Sequence, residues 1–258
     1  MADQLTWDTV VGADFSQFYI RLPRAVDWPQ RYVDTGLAWL FEGAILLITA
    51  RQWGQLPVSV NLWSDRPADL TDDWGDVVEV SLPQTEGVFV GGWEQQPDDL
   101  LVPLLSNAPH RVRYAIANMD DGDAFRAEPP YPERYRVDLW PEVEKPGAVM
   151  RQTSKAGRSW HVSRGMDLLR HEIVERRSQT EEARLEEFAE RSFASYPELL
   201  SGAASGDTST LKRMTSAAFM LVDRGSQIGY PDQDRMREIE SRVTLVMQSV
   251  ARRLTSGK

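Results

Sequence analysis

The chain has 258 residues, 41% of them hydrophobic and 26% charged; that length fits one large core or two ordinary ones, and the composition excludes disorder and fibrous repeats. It contains no cysteine, which excludes disulfides, thiolate catalysis and thiolate metal sites. Charge is unevenly placed: residues 1–145 hold 24 Asp and Glu against 11 Lys and Arg, a net of −13, whereas residues 146–258 hold 15 against 18, a net of +3.

Eight of the nine tryptophans also fall in the first 145 residues, so two domains built from different materials are predicted. The longest apolar run, Leu37 to Ala50, is broken by Glu42 and Gly43 and is shorter than the roughly 20 residues a membrane helix needs. Met1 to Val11 carries Asp3 and Asp8 and has neither a basic start nor an apolar centre. That excludes a secretory signal and predicts a cytoplasmic location.

In chain order, Phe15 to Leu22 alternates Phe18, Ile20 and Leu22 with Phe15, Gln17 and Tyr19, the period of a strand. Asp27, Trp28 and Pro29 with a stop at Gly36 predict one short helix. Leu40–Arg51 and Val58–Trp63 read as strands separated by a turn marked by Gly54 and Pro57. Val77–Leu82, Gly87–Trp93, Arg111–Ala117 and Tyr135–Trp140 complete a set of about seven strands, the pattern of an antiparallel β-sandwich or barrel over residues 1–145.

Residues 146–165 hold Arg151, Lys155, Arg158 and Arg164 among Ser, Thr and Gly without apolar periodicity, and read as a basic linker. From residue 166 to 258 the apolar spacing becomes helical, with stretches at Met166–Phe193, from Asp207 as an N-cap, and from Pro231 onward. A three-helix bundle is predicted there. The whole reads as a segregated α+β chain. The stripe Met236, Ile239, Val243, Met247, Val250 and Leu254 spans under three heptads, so it fits a bundle face better than a dimer seam.

The densest chemistry is acidic. Asp65, Asp69, Asp72, Asp73, Asp76 and Glu79 lie within fifteen residues with only Arg66 opposing them, interleaved with Trp63 and Trp74. A solvated acidic loop is one reading; the other is a docking surface for a basic partner, with Trp74 as an anchor. Asp120, Asp121, Gly122 and Asp123 do not form an EF-hand, because Tyr131 and Pro132 stand where its closing Glu belongs, so this stretch reads as a turn between strands. His110, His161 and His171 fit no catalytic or metal spacing. No cofactor, metal or catalytic residue is predicted, and the acidic balance argues against direct nucleic-acid binding.

Phe15, Ser16, Gln17, Phe18 and Tyr19, then Asp27–Trp28, Gly36 and Glu42–Gly43–Ala44–Ile45, fall in the order seen in the competence protein J family, which the first 130 or so residues resemble. The resemblance implies a non-catalytic protein, since the family's named member inhibits a DNA-entry nuclease. It does not extend to the helical part. The sequence-based expectation is therefore a non-enzymatic binding or inhibitor protein whose acidic β module docks a basic partner, such as a nuclease or toxin, through Asp65, Asp69, Asp72, Asp73, Trp74, Asp76 and Glu79. Two alternatives remain open: a scaffold oligomerising through its helices, and an enzyme with a carboxylate site of unrecognised spacing.

Overall fold

The structure, a computed structural model, describes residues 4–24, 34–41, 43–93, 99–104, 106, 108–122, 131–175, 180–222 and 233–257. Its chain divides into two compact units, Met1–His161 and Val162–Lys258. The predicted helix at Asp27–Gly36 lies largely outside the described residues.

The first unit is built on one sheet. β1 (Gln4–Asp14) and β2 (Gln17–Arg21) form a hairpin whose two turn residues, Phe15 and Ser16, have φ of 54° and 64°. Positive φ at both positions is what a tight hairpin turn demands, and Asn or Gly would supply it with less strain. Because Phe–Ser carries no turn signal, the sequence reads Phe15–Leu22 as one strand. β3 (Ala38–Phe41) and β4 (Ala44–Ile48) are separated at Gly43, which takes φ of 72°.

β5 (Trp53–Trp63) lies antiparallel along the whole of β1, from Gln4↔Trp63 to Asp14↔Trp53. Its Pro57 precedes Val58, where pairing with the next strand begins, so the proline falls where β5 has one neighbour only. β6 (Asp76–Leu82), β7 (Gly87–Gly91), β8 (Leu100–Pro103), β9 (His110–Ala117), β10 (Arg134–Pro141) and β11 (Ala148–Gln152) complete eleven strands among the described residues.

The order is β11-β6-β9-β10-β5-β1-β2-β4-β3, with β7 and β8 branching from β2. β10 runs parallel to β5, so the sheet is mixed and not wholly antiparallel as its short strands and turns suggested. Nor is it two sheets. Phe18 of β2 meets Tyr114 of β9 and Tyr135 of β10 edge to face at 5.8 and 6.5 Å, and the Tyr114 hydroxyl donates to the Ile48 carbonyl of β4 at 2.7 Å. Four strands separate β9 from β4 along the sheet, so it curls over one core as a half-barrel.

The segment read as a linker is ordered. β11 pairs with β6 through a bulge between Val149 and Arg151, and only Thr153 and Ser154 separate its end from α1 (Lys155–Glu175). Arg151 donates to the carbonyls of Leu70, Thr71 and Trp74, which is why a basic residue sits in an edge strand. The first turn of α1 is capped from elsewhere: Asp120 accepts from the N–H groups of Lys155 and Ala156, and Ser154 Oγ from that of Gly157.

Among the described residues the second unit contains five helices where three were predicted, counting the part of α1 beyond His161, with α2 (Glu181–Ser195), α3 (Pro197–Ser205), α4 (Thr208–Val222) and α5 (Gln233–Thr255) as the others. Thr180 caps α2, and Asp207 accepts from the Thr210 N–H at the start of α4 as its sequence position suggested. The stretch between Phe193 and Asp207, where no helix was predicted, holds α3. Pro197 opens it at N1, and Gly202 is needed because a Cβ there would overlap Thr210 of α4. Ile239, Val243, Met247 and Val250 of α5 are buried in this unit's own core, so most of the stripe weighed as a dimer seam is already occupied. Leu254 at its end is exposed.

Candidate functional site

Two outer faces of the curled sheet carry the chemistry. On the first, strand register aligns Thr6 of β1, Asn61 of β5, Asp138 of β10, Arg113 of β9 and Glu79 of β6 in one row across the sheet. Asp138 is buried and accepts from Asn61 at 3.0 Å, Trp63 Nε1 at 3.1 Å and Arg136 at 2.9 Å. Glu79 is buried beneath three guanidiniums, Arg113 at 3.0 Å, Arg66 at 3.1 Å and Arg111 at 3.4 Å. Arg66 and Arg113 also lie over the buried Trp140 ring at 5.4 and 5.1 Å.

The acidic segment therefore divides. Asp76 and Glu79 are buried: Asp76 accepts from the N–H groups of Thr153 and Ser154, and Glu79 neutralises arginines on the outer face. Asp65, Asp69, Asp72 and Asp73 are exposed on the loop between β5 and β6, and Trp74 is half-buried beneath the Arg134 guanidinium, 5.0 Å from its ring. Sequence spacing placed only Arg66 near these acids. Folding brings Arg113 to Asp69, Arg151 to Asp72 and Arg134 to Asp73, at 3.7, 3.3 and 2.8 Å.

Those arginines also fix the loop, since Arg113 donates to the Ala68 carbonyl and Arg151 to three others. Thr71 and Arg134 hydrogen bonds hold the Asp73 carboxyl below its usual range. Among the described residues of 1–145 the buried charges are Asp76, Glu79, Glu133 and Asp138 against Arg51, Arg111 and Arg113. Four acids against three bases is a net of −1, so burial accounts for little of the −8 that the described residues of this segment carry, 17 acids against 9 bases.

The second face lies over β2, β4 and β3. Register sets Trp39, Leu46 and Tyr19 in one row and Phe41, Ala44 and Arg21 in the next. Large side chains on the outer two strands with Ala44 between them leave a trough of about 630 Å³. Trp93 lies edge to face with Tyr19 at 5.8 Å, and Trp39 packs with Phe41 at 6.4 Å. Phe41 and Trp93 are 45% and 56% exposed. Trp39 is set from behind: its Nε1 donates to the Gly36 carbonyl, and its ring meets Trp160 at 6.0 Å.

Polar groups in this trough are already engaged. Gln17 donates to the Tyr19 hydroxyl at 2.7 Å; burial, reinforced by Asp14 and opposed by Arg21, leaves the phenol's pKa pushed up to about 12. Arg21 pairs with Asp99 at 3.3 Å and donates to the Gly92 and Trp93 carbonyls.

Two of the three histidines turn out to be structural. His110 is fully buried, with Nδ1 2.8 Å from the Ala108 carbonyl. His161 Nδ1 accepts from the Gly36 N–H at 3.0 Å, and Gly36 is required because a Cβ there would overlap the α1 backbone. Burial lowers the pKa of both. His171 is exposed, 3.8 Å from Asp167. Among the described residues no group of three or more His, Asp or Glu converges to hold a metal, and no helix is long and apolar enough to cross a membrane.

Sequence reasoning missed the trough. Its signal was present as Gln17 and Tyr19 on the outer side of an alternating strand and as Trp39 and Phe41 two residues apart, but their meeting depends on the β2–β4–β3 register.

No described protein family matches the sequence, and no curated protein matches it. Among solved structures, crocagin biosynthetic gene J is similar over 54% of this chain and 99% of its own, at 15% identity and a TM-score of 0.34, too distant a likeness to inform function.

Proposed function

We propose that the protein is a non-enzymatic binding protein whose β unit docks a basic protein partner. The observation that supports this most is the charge balance: the described residues of 1–145 hold 17 acids against 9 bases, a net of −8, and only −1 of it lies among buried groups, which leaves −7 at exposed or half-buried positions. Such a field raises association rates with a basic surface. The loop between β5 and β6 adds a fixed feature, because arginines hold its carbonyls while Asp69 and Asp72 remain exposed. Preorganisation of this kind lowers the ordering cost of binding.

A nuclease or toxin is the proposed class of partner. The stretches resembling the competence protein J family supply Gln17, Tyr19, Gly43 and Ala44 to the trough, which suits a binding role. The test is capture of partners by the full chain, followed by association kinetics with the retained protein. Replacing Asp65, Asp69, Asp72 and Asp73 by Asn should slow association at low salt by roughly tenfold and flatten its salt dependence. An unchanged on-rate would remove the loop from the proposal.

A further inference from the structure

We propose that the trough over β4 anchors an extended segment of the partner, seating a large apolar or aromatic side chain between Trp39 and Tyr19 and a lysine or arginine in the adjoining hollow beside Asp14. This rests on the reading of the β unit as a docking unit for a basic protein. The trough selects apolar groups because its polar ones are committed: the Tyr19 hydroxyl accepts from Gln17, and Arg21 is held by Asp99 and two carbonyls. Its exposed rings, Phe41 and Trp93, are of the type that dominates binding energy at interfaces.

The adjoining hollow, of about 510 Å³, shares Trp93 with the trough and is lined in addition by Asp99, Asp14, Phe15, Thr9 and Gln55. Asp99 there is paired with Arg21, whereas Asp14 makes no ion pair among the described residues. A carboxylate beside the rings of Trp93 and Phe15 suits a cationic side chain, which gains from both the charge and the ring faces. An extended chain brings an apolar and a basic side chain close together within a few residues. Rings can also stack on nucleobases, but the acidic exterior repels phosphates, so a peptide is the better occupant.

The test uses the full chain and fluorescein-labelled ten-residue peptides: one with a central Leu–Trp flanked by arginines, one with that pair changed to serines, and one with the arginines changed to glutamates. A thymidine oligonucleotide is the fourth probe. Phe41→Ser and Trp93→Ser change exposed rings, and their thermal midpoints are checked against the wild type. The Arg–Trp peptide should bind and lose at least tenfold in affinity on changing the central pair or on introducing either ring variant; Asp14→Asn should weaken it about threefold to fivefold. Equal binding of the serine peptide would overturn the trough while leaving the electrostatic reading intact. Equal binding of the glutamate peptide would overturn the basic-partner reading and the Asp14 hollow. Tighter binding of the oligonucleotide, or no binding of any peptide, would overturn the inference.

Discussion

The two outer faces of the curled sheet resolve their side chains in opposite ways. Over β5, β10, β9 and β6, Glu79 and Asp138 each meet cationic or hydrogen-bonding partners, and the aromatic Trp140 is fully covered by Arg66 and Arg113. Over β2, β4 and β3 the ion pair lies at the margin and the rings of Phe41 and Trp93 are about half exposed. The difference separates buried groups that hold the fold from exposed rings, which the proposed docking role would use. It also shows that local acid density is a poor guide: Asp76 and Glu79 are buried, whereas most of the excess charge of the unit's described residues is at exposed or half-buried positions.

The largest expected effect tests that separation. Glu79→Gln removes the buried counter-charge of Arg111 and Arg113, leaving Arg113 only the exposed Asp69, and should cost about 3–5 kcal/mol in chemical denaturation. Trp93→Ser on the other face should change stability by no more than about 0.5 kcal/mol. Comparable costs at the two positions would break the distinction. Tyr114→Phe comes next: it removes the donor to the Ile48 carbonyl that ties β9 to β4 and should cost about 1–2 kcal/mol. A neutral result would mean that the bond does little to hold the curl.

A pH effect sharpens the comparison at Trp39, whose support passes through Gly36 to His161. Both His110 and His161 have folded pKa values lowered by burial from 6.5. The unfolded chain therefore binds protons as pH falls through 6.5 while the folded chain does not. The histidines' contribution is present above 6.5 and is lost as pH falls toward and through their folded values. In His161→Gln, whose amide oxygen can still accept from Gly36, denaturation midpoints measured from neutral to mildly acidic pH should decline less steeply; an identical decline would remove His161 from the account. The smallest effect is at the β1–β2 turn. Ser16→Gly relieves a positive φ and should stabilise by about 0.5–1 kcal/mol, measured by thermal unfolding.

Much of the secondary structure was legible where one face of an element meets one core. β6, β7, β9 and β10 alternate or run apolar between turn residues, and α5 shows its stripe. The misreadings share a cause, which is that long-range contacts replaced local signals. β11 was hidden because Arg151 serves loop carbonyls, and the start of α1 because Asp120 caps it from 35 residues away. The β1–β2 turn was hidden because Phe15 and Ser16 adopt a backbone that their side chains do not advertise. For the candidate site, acidity was legible from counting, but pairing was not: Arg111, Arg113, Arg134 and Arg151 reach the acidic segment only through strand order.

Tryptophan fluorescence of the full chain during titration with the Arg–Trp peptide, from about 20 mM to about 300 mM salt, tests the central claim most directly. A saturable spectral shift that is lost in Phe41→Ser, with affinity falling at least tenfold across that range, is the expected result. Binding that leaves the spectrum unchanged, or an affinity indifferent to salt, would contradict it.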